Sequence, residues 1–239
     1  MTPTQIIVIA KEPLPGRVKT RLTPPYLPAQ AAQLATAALT DTLHTVTATP
    51  AAHRVLALDG LPGPWLPPGI TVIAQRGHTL DQRLAAAFTD AHRLHPAPAV
   101  LIGMDTPQIT PHLLTTATTL LHDHDAVYGP ATDGGFWLLG LRHPDPRLLL
   151  GVPMSTPTTG AALLHRLTEA GLTAAHLPEL TDIDTADDAA HVAAHAPGTR
   201  FAAAHTALTS TGTSTGPGTG TSPHDRPITR RPAGTPTPR

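Results

Sequence analysis

Apolar positions along this chain follow two alternating rhythms. Residues 6–10, 54–58, 70–74 and 99–103 are short apolar runs with many β-branched side chains, the pattern of strands buried on both faces. Between and after them lie longer stretches, 29–46, 79–94 and 111–121, whose apolar residues recur three and four apart. These predict helices that face a core. Pro28 precedes the first, a position that helix starts tolerate. In 79–94, Leu80, Leu84, Ala87, Phe88 and Ala91 share one face. Further on, 126–130 and 135–141 read as strands around the loop 131–134. Residues 158–170 read as a helix ended by Gly171, 174–178 as a late strand and 186–196 as a final helix. The order strand, helix, strand, strand, helix, strand predicts an α/β domain with a mainly parallel, Rossmann-like sheet flanked by helices. Ligands on such sheets bind beyond the carboxyl ends of the strands. The loops that follow 6–10 and 99–103 are therefore the places to look for chemistry.

Composition narrows the picture. The hydrophobic fraction of 40% supports a sizeable core, but only 3% of residues are aromatic, so Ala, Leu, Val and Ile must fill it. A formal net charge of −1 gives no overall pull toward nucleic acid or an anionic membrane surface. The absence of cysteine excludes disulfides, thiolate zinc sites and cysteine nucleophiles. No apolar stretch reaches the ~18–20 residues of a membrane span, and no signal-peptide pattern opens the chain, so a cytoplasmic protein is expected. Residues 206–239 are rich in Thr, Ser, Gly, Pro and Arg and nearly devoid of apolar side chains. That composition predicts a disordered tail after a folded domain at 1–205.

The loop after the first strand draws attention first. It holds both lysines of the chain, Lys11 and Lys19, together with Gly16, Arg17 and Arg21. Every other cation is arginine, so these two positions ask for a compact ammonium. A strand, a glycine-containing loop and a set of cations make a cradle for phosphate oxygens; an ordinary solvated charge run is the alternative. Asp105 follows the strand at 99–103 and precedes Thr106-Pro107, where a carboxylate suits Mg²⁺ or Mn²⁺ held against phosphates. It could otherwise cap the next helix, although Thr110 is the better cap. In an extended Asp182-Ile183-Asp184 the two carboxylates share a face and could complete a metal site or serve as hydrogen-bond acceptors, while Asp187 and Asp188 suit a helix start. In 129–137, Gly134 and Gly135 let backbone approach a ligand. Asp133 could accept a hydroxyl proton, and Trp137 could stack on a sugar or base, though a hairpin turn and a core aromatic explain the same residues. Ser155 and Thr156 could position an acceptor. Gln75, Arg76, Gly77, Asp81 and Arg83, around the third strand's end, are weaker candidates. No P-loop, serine nucleophile elbow or histidine pair with convincing metal spacing is present.

These pieces resemble the GT-A-fold nucleotide-dependent transferases, and most closely the bacterial family of radical-SAM/selenodomain-associated transferases. The resemblance rests on Ala10-Lys11, on Pro15-Gly16-Arg17-Val18-Lys19-Thr20-Arg21-Leu22, on Gly103-Met104-Asp105-Thr106-Pro107, on Gly129-Pro130 to Asp133-Gly134-Gly135-Phe136-Trp137, on Ser155-Thr156 and on Asp182-Ile183-Asp184-Thr185. It covers roughly residues 4–200. Two departures stand out: Met154 where the family usually has Trp, and Ala186 where it usually has Pro. The resemblance implies a GT-A (nucleotide-diphospho-sugar transferase) fold, a nucleotide donor (a nucleoside-diphosphate sugar or a nucleoside triphosphate), a small-molecule acceptor and Mg²⁺ or Mn²⁺. Ala10, Lys11, Gly16, Arg17, Lys19, Arg21 and Arg76 would bind nucleotide. Asp105, Asp182 and Asp184 would hold metal, Asp105, Asp133 and Lys19 would act in catalysis, and Gly134, Gly135, Trp137, Ser155 and Thr156 would meet the acceptor. The expected activity is glycosyl transfer from a nucleotide sugar. Nucleotidyl transfer with release of pyrophosphate, and nucleotide binding without catalysis, are the alternatives. Neither nucleic acid nor a membrane is an expected partner, and self-association is left open.

Overall fold

The computed structural model describes residues 4–212. Seven strands form one sheet in the order β3-β2-β1-β4-β6-β5-β7. β1 (Gln5–Lys11), β2 (His53–Asp59), β3 (Thr71–Ala74) and β4 (Ala99–Ile102) are mutually parallel. β5 (Ala126–Pro130) and β7 (Ala174–His176) are parallel to each other, while β6 (Phe136–Leu141) runs antiparallel to both its neighbours, β4 and β5. The mainly parallel sheet is as expected. The reversed β6 follows from its short connection to β5, since a hairpin can join only antiparallel strands.

The helices are α1 (Pro28–Ala48), α2 (Leu80–Leu94), α3 (Pro111–Leu120), α4 (Thr159–Glu169), α5 (Ala186–His195) and α6 (Arg200–Gly212). Alternation along β1 divides the core. Ile6, Val8 and Ala10 pack with α1 and α3 on one face. Ile7 and Ile9 face α2 and α4 on the other. β4 is buried along its whole length, as its continuous apolar run demands.

A third apolar cluster lies on the outer side of α1, where Leu34 and Ala38 meet Val192 of α5 and Phe201 of α6. α6 was not expected from the sequence, and it runs through residues 206–212, which composition assigned to the tail. Its start is fixed twice. Thr199 Oγ1 accepts a hydrogen bond from Ala202 N at 3.1 Å, and the buried Asp41 of α1 accepts from Phe201 N at 2.8 Å and Arg200 N at 3.1 Å. The remainder of the expected tail, 213–239, lies outside the described residues.

Chain order along the sheet reverses at the boundary between β1 and β4: β2 and β3 extend to one side of β1, and β4 starts the other. Side chains that leave the ends of these two strands therefore face a common crevice.

Candidate functional site

A cleft of about 780 Å³ opens over the carboxyl ends of β1 and β4, within the range of small-ligand pockets. Backbone contacts from distant parts of the chain build it. Lys11 N donates to the Met104 sulfur at 3.4 Å, tying the β1 loop to the β4 loop. Ile183 N donates to Asp105 O at 3.0 Å, which brings the 182–184 segment beside the end of β4. Gly160 N donates to Gly134 O at 2.8 Å, joining the β5–β6 turn to the start of α4. There is no room for a side chain at Gly134: a Cβ would lie 2.1 Å from Pro157 O, and its φ is +84°.

At one end of the cleft, cations and carboxylates interleave. The Lys19 side chain is only 8% exposed, and its Nζ sits 2.6 Å from Asp105 Oδ1 and 3.7 Å from Asp184 Oδ1 while donating to Ile183 O. Arg21 reaches the other Asp184 oxygen at 2.9 Å. Asp182 receives no hydrogen bond among the described residues, and its carboxyl is pushed up to about 8 by burial first and by the neighbouring Asp105, Asp133 and Asp184 charges, with Lys19 opposing. Lys11 and Arg17 also line the cleft and are exposed, and neither forms an ion pair among the described residues. Only two non-glycine residues of the described chain have positive φ, Lys19 at 49° and Ser155 at 57°, and both line the cleft. Such conformations cost about 1–3 kcal/mol and collect at functional sites.

The cleft also has apolar lining: Ile9, Leu84, Phe136 and Met154, which pack in one cluster under it, and Leu80. Asp133 also lines the cleft, close enough to Asp182 for its charge to act there. Its Oδ1 accepts from Gly135 N at 2.8 Å, and Gly135 O in turn accepts from the Tyr128 hydroxyl at 2.8 Å.

Most of the residues singled out in the sequence come together here: Ala10, Lys11, Arg17, Lys19, Arg21, Asp105, Asp133, Gly135, Trp137, Ser155, Thr156, Asp182 and Asp184 line one cleft. Others do not. Gly16 borders a separate hollow of about 140 Å³ with Val18, Thr20, Thr23 and Pro28. Arg76 is turned away, its guanidinium paired with both Asp90 oxygens at 2.8 and 2.5 Å. Arg83, held by Asp59 at 2.9 Å, lines the cleft instead. Gly134 packs against Pro157. Trp137 is 2% exposed and donates its indole N–H to Pro178 O at 3.0 Å, so it supports the floor and offers no face for stacking. Asp105, Asp182 and Asp184 are neighbours, yet among the described residues no three His, Cys, Asp or Glu side chains are arranged to hold one ion. The Lys19 ammonium stands among them. His78, Leu80 and Leu84 line the cleft without having been expected there. The two leucines carry the helix period that signals core, and His78 is masked by a chain rich in histidine.

The family profile described as "uncharacterized protein conserved in bacteria (DUF2064)" matches residues 31–156, more than half of the chain. The chain belongs to the DUF2064 family. The DUF2064 match takes in Asp105, the 133–137 turn and Ser155–Thr156, while Lys19 precedes it and the 182–184 segment follows it. No curated protein matches by sequence. Among solved structures, the DUF2064 chain resembles a Desulfovibrio desulfuricans G20 protein provisionally designated a nucleotide-diphospho-sugar transferase. The two share 26% identity at a TM-score of 0.79, covering 89% of this chain and 96% of that one. It also shares its fold with a CMP:2-keto-3-deoxy-manno-octonic acid synthetase complexed with CTP (14% identity, TM-score 0.53, covering 82% and 100%). Rv0371c from Mycobacterium tuberculosis H37Rv has the same fold (20% identity, TM-score 0.51, covering 80% and 97%). The DUF2064 fold is thus the GT-A, nucleotide-diphospho-sugar transferase fold. No helix among the described residues is long and apolar enough to cross a membrane.

Proposed function

We propose that this DUF2064 protein is a metal-dependent transferase that takes its donor group from an activated nucleotide, with a nucleoside-diphosphate sugar as donor and a small hydroxyl compound as acceptor. The carrying observation is the meeting, at the point where the strand order reverses, of two unpaired cations, Lys11 and Arg17, with the carboxylates of Asp105, Asp182 and Asp184. A diphosphate needs both cationic partners and a cation shared with carboxylates. The fold shared with a protein designated a nucleotide-diphospho-sugar transferase supports the same reading. The motifs also support kinship with the radical-SAM/selenodomain-associated transferases. The absence of cysteine goes with a cytoplasmic setting.

The donor set suits Mg²⁺ or Mn²⁺. It is all oxygen, and such ions are commonly bound through one or two carboxylates plus substrate phosphates. Asp105 and the hydrogen-bond-free Asp182 are the residues to hold the ion, with Asp184 adjacent. When bound, it would offset charge that develops on the departing phosphate. The chain's own residues do the rest. Lys11 and Arg17 bind and orient phosphate oxygens. Asp133 Oδ2, left free while Oδ1 holds Gly135 N, is placed to take the acceptor's hydroxyl proton.

A nucleotidyl transfer, in which an acceptor phosphate attacks a nucleoside triphosphate, is the second reading. The fold shared with a CTP-bound synthetase favours it. A thermal-shift screen of nucleoside di- and triphosphates and nucleotide sugars, each with and without Mn²⁺, separates these. A ligand at 100 times its Kd adds about 2.7 kcal/mol of stability. A metal-dependent shift with one nucleotide sugar, and release of its nucleoside diphosphate on turnover, is the expected result. A shift with triphosphate alone and release of pyrophosphate would replace glycosyl by nucleotidyl transfer. No shift with any of them would remove the transferase reading.

A further inference from the structure

Lys19 does something in this structure that a phosphate-binding lysine need not do. Its ammonium is withdrawn from solvent and held by Asp105 Oδ1 at 2.6 Å, by Ile183 O and by Asp184 Oδ1 at 3.7 Å. The hold is reinforced from both sides. Arg21 fixes the other Asp184 oxygen at 2.9 Å, and the Asp188 carboxylate accepts from Asp184 N at 3.3 Å and Thr185 N at 2.8 Å. Lys19 also keeps a left-handed backbone, φ 49° and ψ 38°, to reach this position. Asp105 is common to this hold and to the pair suited to a divalent ion, Asp184 adjoins both, and with the ammonium among them the described carboxylates do not form a three-ligand ion site. One cluster therefore has two claimants. A divalent ion carries twice the charge of an ammonium and prefers the same hard oxygen ligands. An ammonium displaced by it would be left beside Lys11 and Arg17, facing the cleft.

We propose that Lys19 and a divalent cation are alternative occupants of the Asp105–Asp184 carboxylates, so that metal loading exchanges the ammonium out of the cluster and delivers it to the donor phosphates. Lys19 is then the chain's own counter-ion, which keeps the carboxylates compensated before metal arrives. It becomes a phosphate ligand only afterwards. The proposal rests on the reading of the cleft as a nucleotide and metal site.

The composition supplies a direct test in the wild-type chain. Lys11 and Lys19 are its only lysines, one exposed and one withdrawn. Limited acylation with acetic anhydride, read by peptide mass spectrometry, reports both amines at once, with Lys11 as internal reference and the α-amine resolved separately. Without metal, Lys19 is expected to acylate about ten-fold or more slowly than Lys11, because its amine is held by Asp105 and Ile183 and shielded from the reagent. Saturating Mn²⁺ should raise the Lys19 rate several-fold and leave Lys11 unchanged. Mn²⁺ titrations followed by the electron paramagnetic resonance signal of the free ion give the reciprocal readout. Lys19→Met and the milder Lys19→Gln should each bind Mn²⁺ about ten-fold tighter than wild type, equivalent to about 1.4 kcal/mol. If Mn²⁺ binds, and is lost in Asp105→Asn, while Lys19 acylation and the affinities of both Lys19 variants stay unchanged, the exchange is wrong and the transferase reading stands. If neither wild type nor Lys19→Met binds Mn²⁺, with or without CTP or UDP-glucose, the exchange and the metal-dependent reading both fall.

Discussion

Asp182 is the residue at which stability and activity pull apart. Its half-buried carboxyl is pushed up to about 8, from 3.8, by desolvation first and by the neighbouring carboxylates. A raised carboxyl pKa means that the folded chain holds a proton the unfolded chain has released. Stability therefore falls as pH rises from about 4 through about 8, and the full cost is present above that range. Asp182→Asn removes the cost. It should raise the melting temperature, and the gain should be larger at about pH 8 than at about pH 5, by up to roughly 4 kcal/mol. Differential scanning calorimetry at the two pH values checks the slope; an equal gain at both would contradict the buried ionisation. The same variant should lose transferase activity if the carboxylate holds metal. Asp105→Ala should abolish turnover at the saturating donor level while its melting temperature moves by no more than about 1 kcal/mol equivalent, since Asp105 is partly exposed and its ion pair is correspondingly weak. Residue types at this scale were largely legible in the sequence, because two lysines in one loop and an aspartate after an apolar strand are local signals. Their pairing was not. Lys19 meets Asp105 and Asp184 through a left-handed backbone that no residue type announces. Arg76, in the loop after β3, pairs with Asp90, while Arg83, in the first turn of α2, pairs with Asp59 and lines the cleft.

At the scale of elements, the β5–β6 turn and the start of α4 act as one wall. Gly134 is the tightest point between them. Gly134→Ala combines a side chain 2.1 Å from Pro157 O with a positive φ, and should cost ~3 kcal/mol or more. Gly151→Ala has a similar φ of +79° but open space around it, and should cost only about 1–2 kcal/mol. Urea denaturation of the pair isolates the contact from the strain; equal costs would show that the two segments can part without loss. Element positions were readable wherever one signal dominated. The run at 99–103 is apolar throughout and became β4, and the spacing of Leu84, Phe88 and Ala91 became the buried face of α2. The direction of β6 follows from the short 131–135 connection to β5, but its place between β4 and β5 was less legible, because no local signal names a strand's neighbours. α6 was missed because its anchoring acid, Asp41, lies 160 residues earlier in the chain than the Phe201 amide that it caps. Its threonines, Ser210 and Gly212 also look like the composition that follows.

At the scale of the whole molecule, α6 belongs to the folded unit. Phe201 is fully buried between α1 and α5. A chain ending at Thr199 exposes Leu34 and Ala38 of α1 and should lose roughly 3–5 kcal/mol, or about 10 °C in melting temperature. A chain ending at Gly212 should melt within about 1 °C of full length, since the composition of 213–239 holds too few apolar groups to contribute. Thermal unfolding of the two truncations decides both expectations, and a large drop for the longer one would show that the tail packs on the domain.

The span of the Lys19 contact has a consequence for synthesis. The ammonium and the Ile183 carbonyl that receives it are 164 residues apart, and β1 lies at the middle of the sheet beside β4, a strand made much later. While the ribosome is still short of that point, the nascent chain presents Lys19 and Arg21, beside Lys11 and Arg17, without the Asp105 and Asp184 carboxylates that later pair with them. An unfinished polypeptide should therefore cling to ribosomal RNA or other polyanions through its leading segment, and let go only when the last acidic residues emerge.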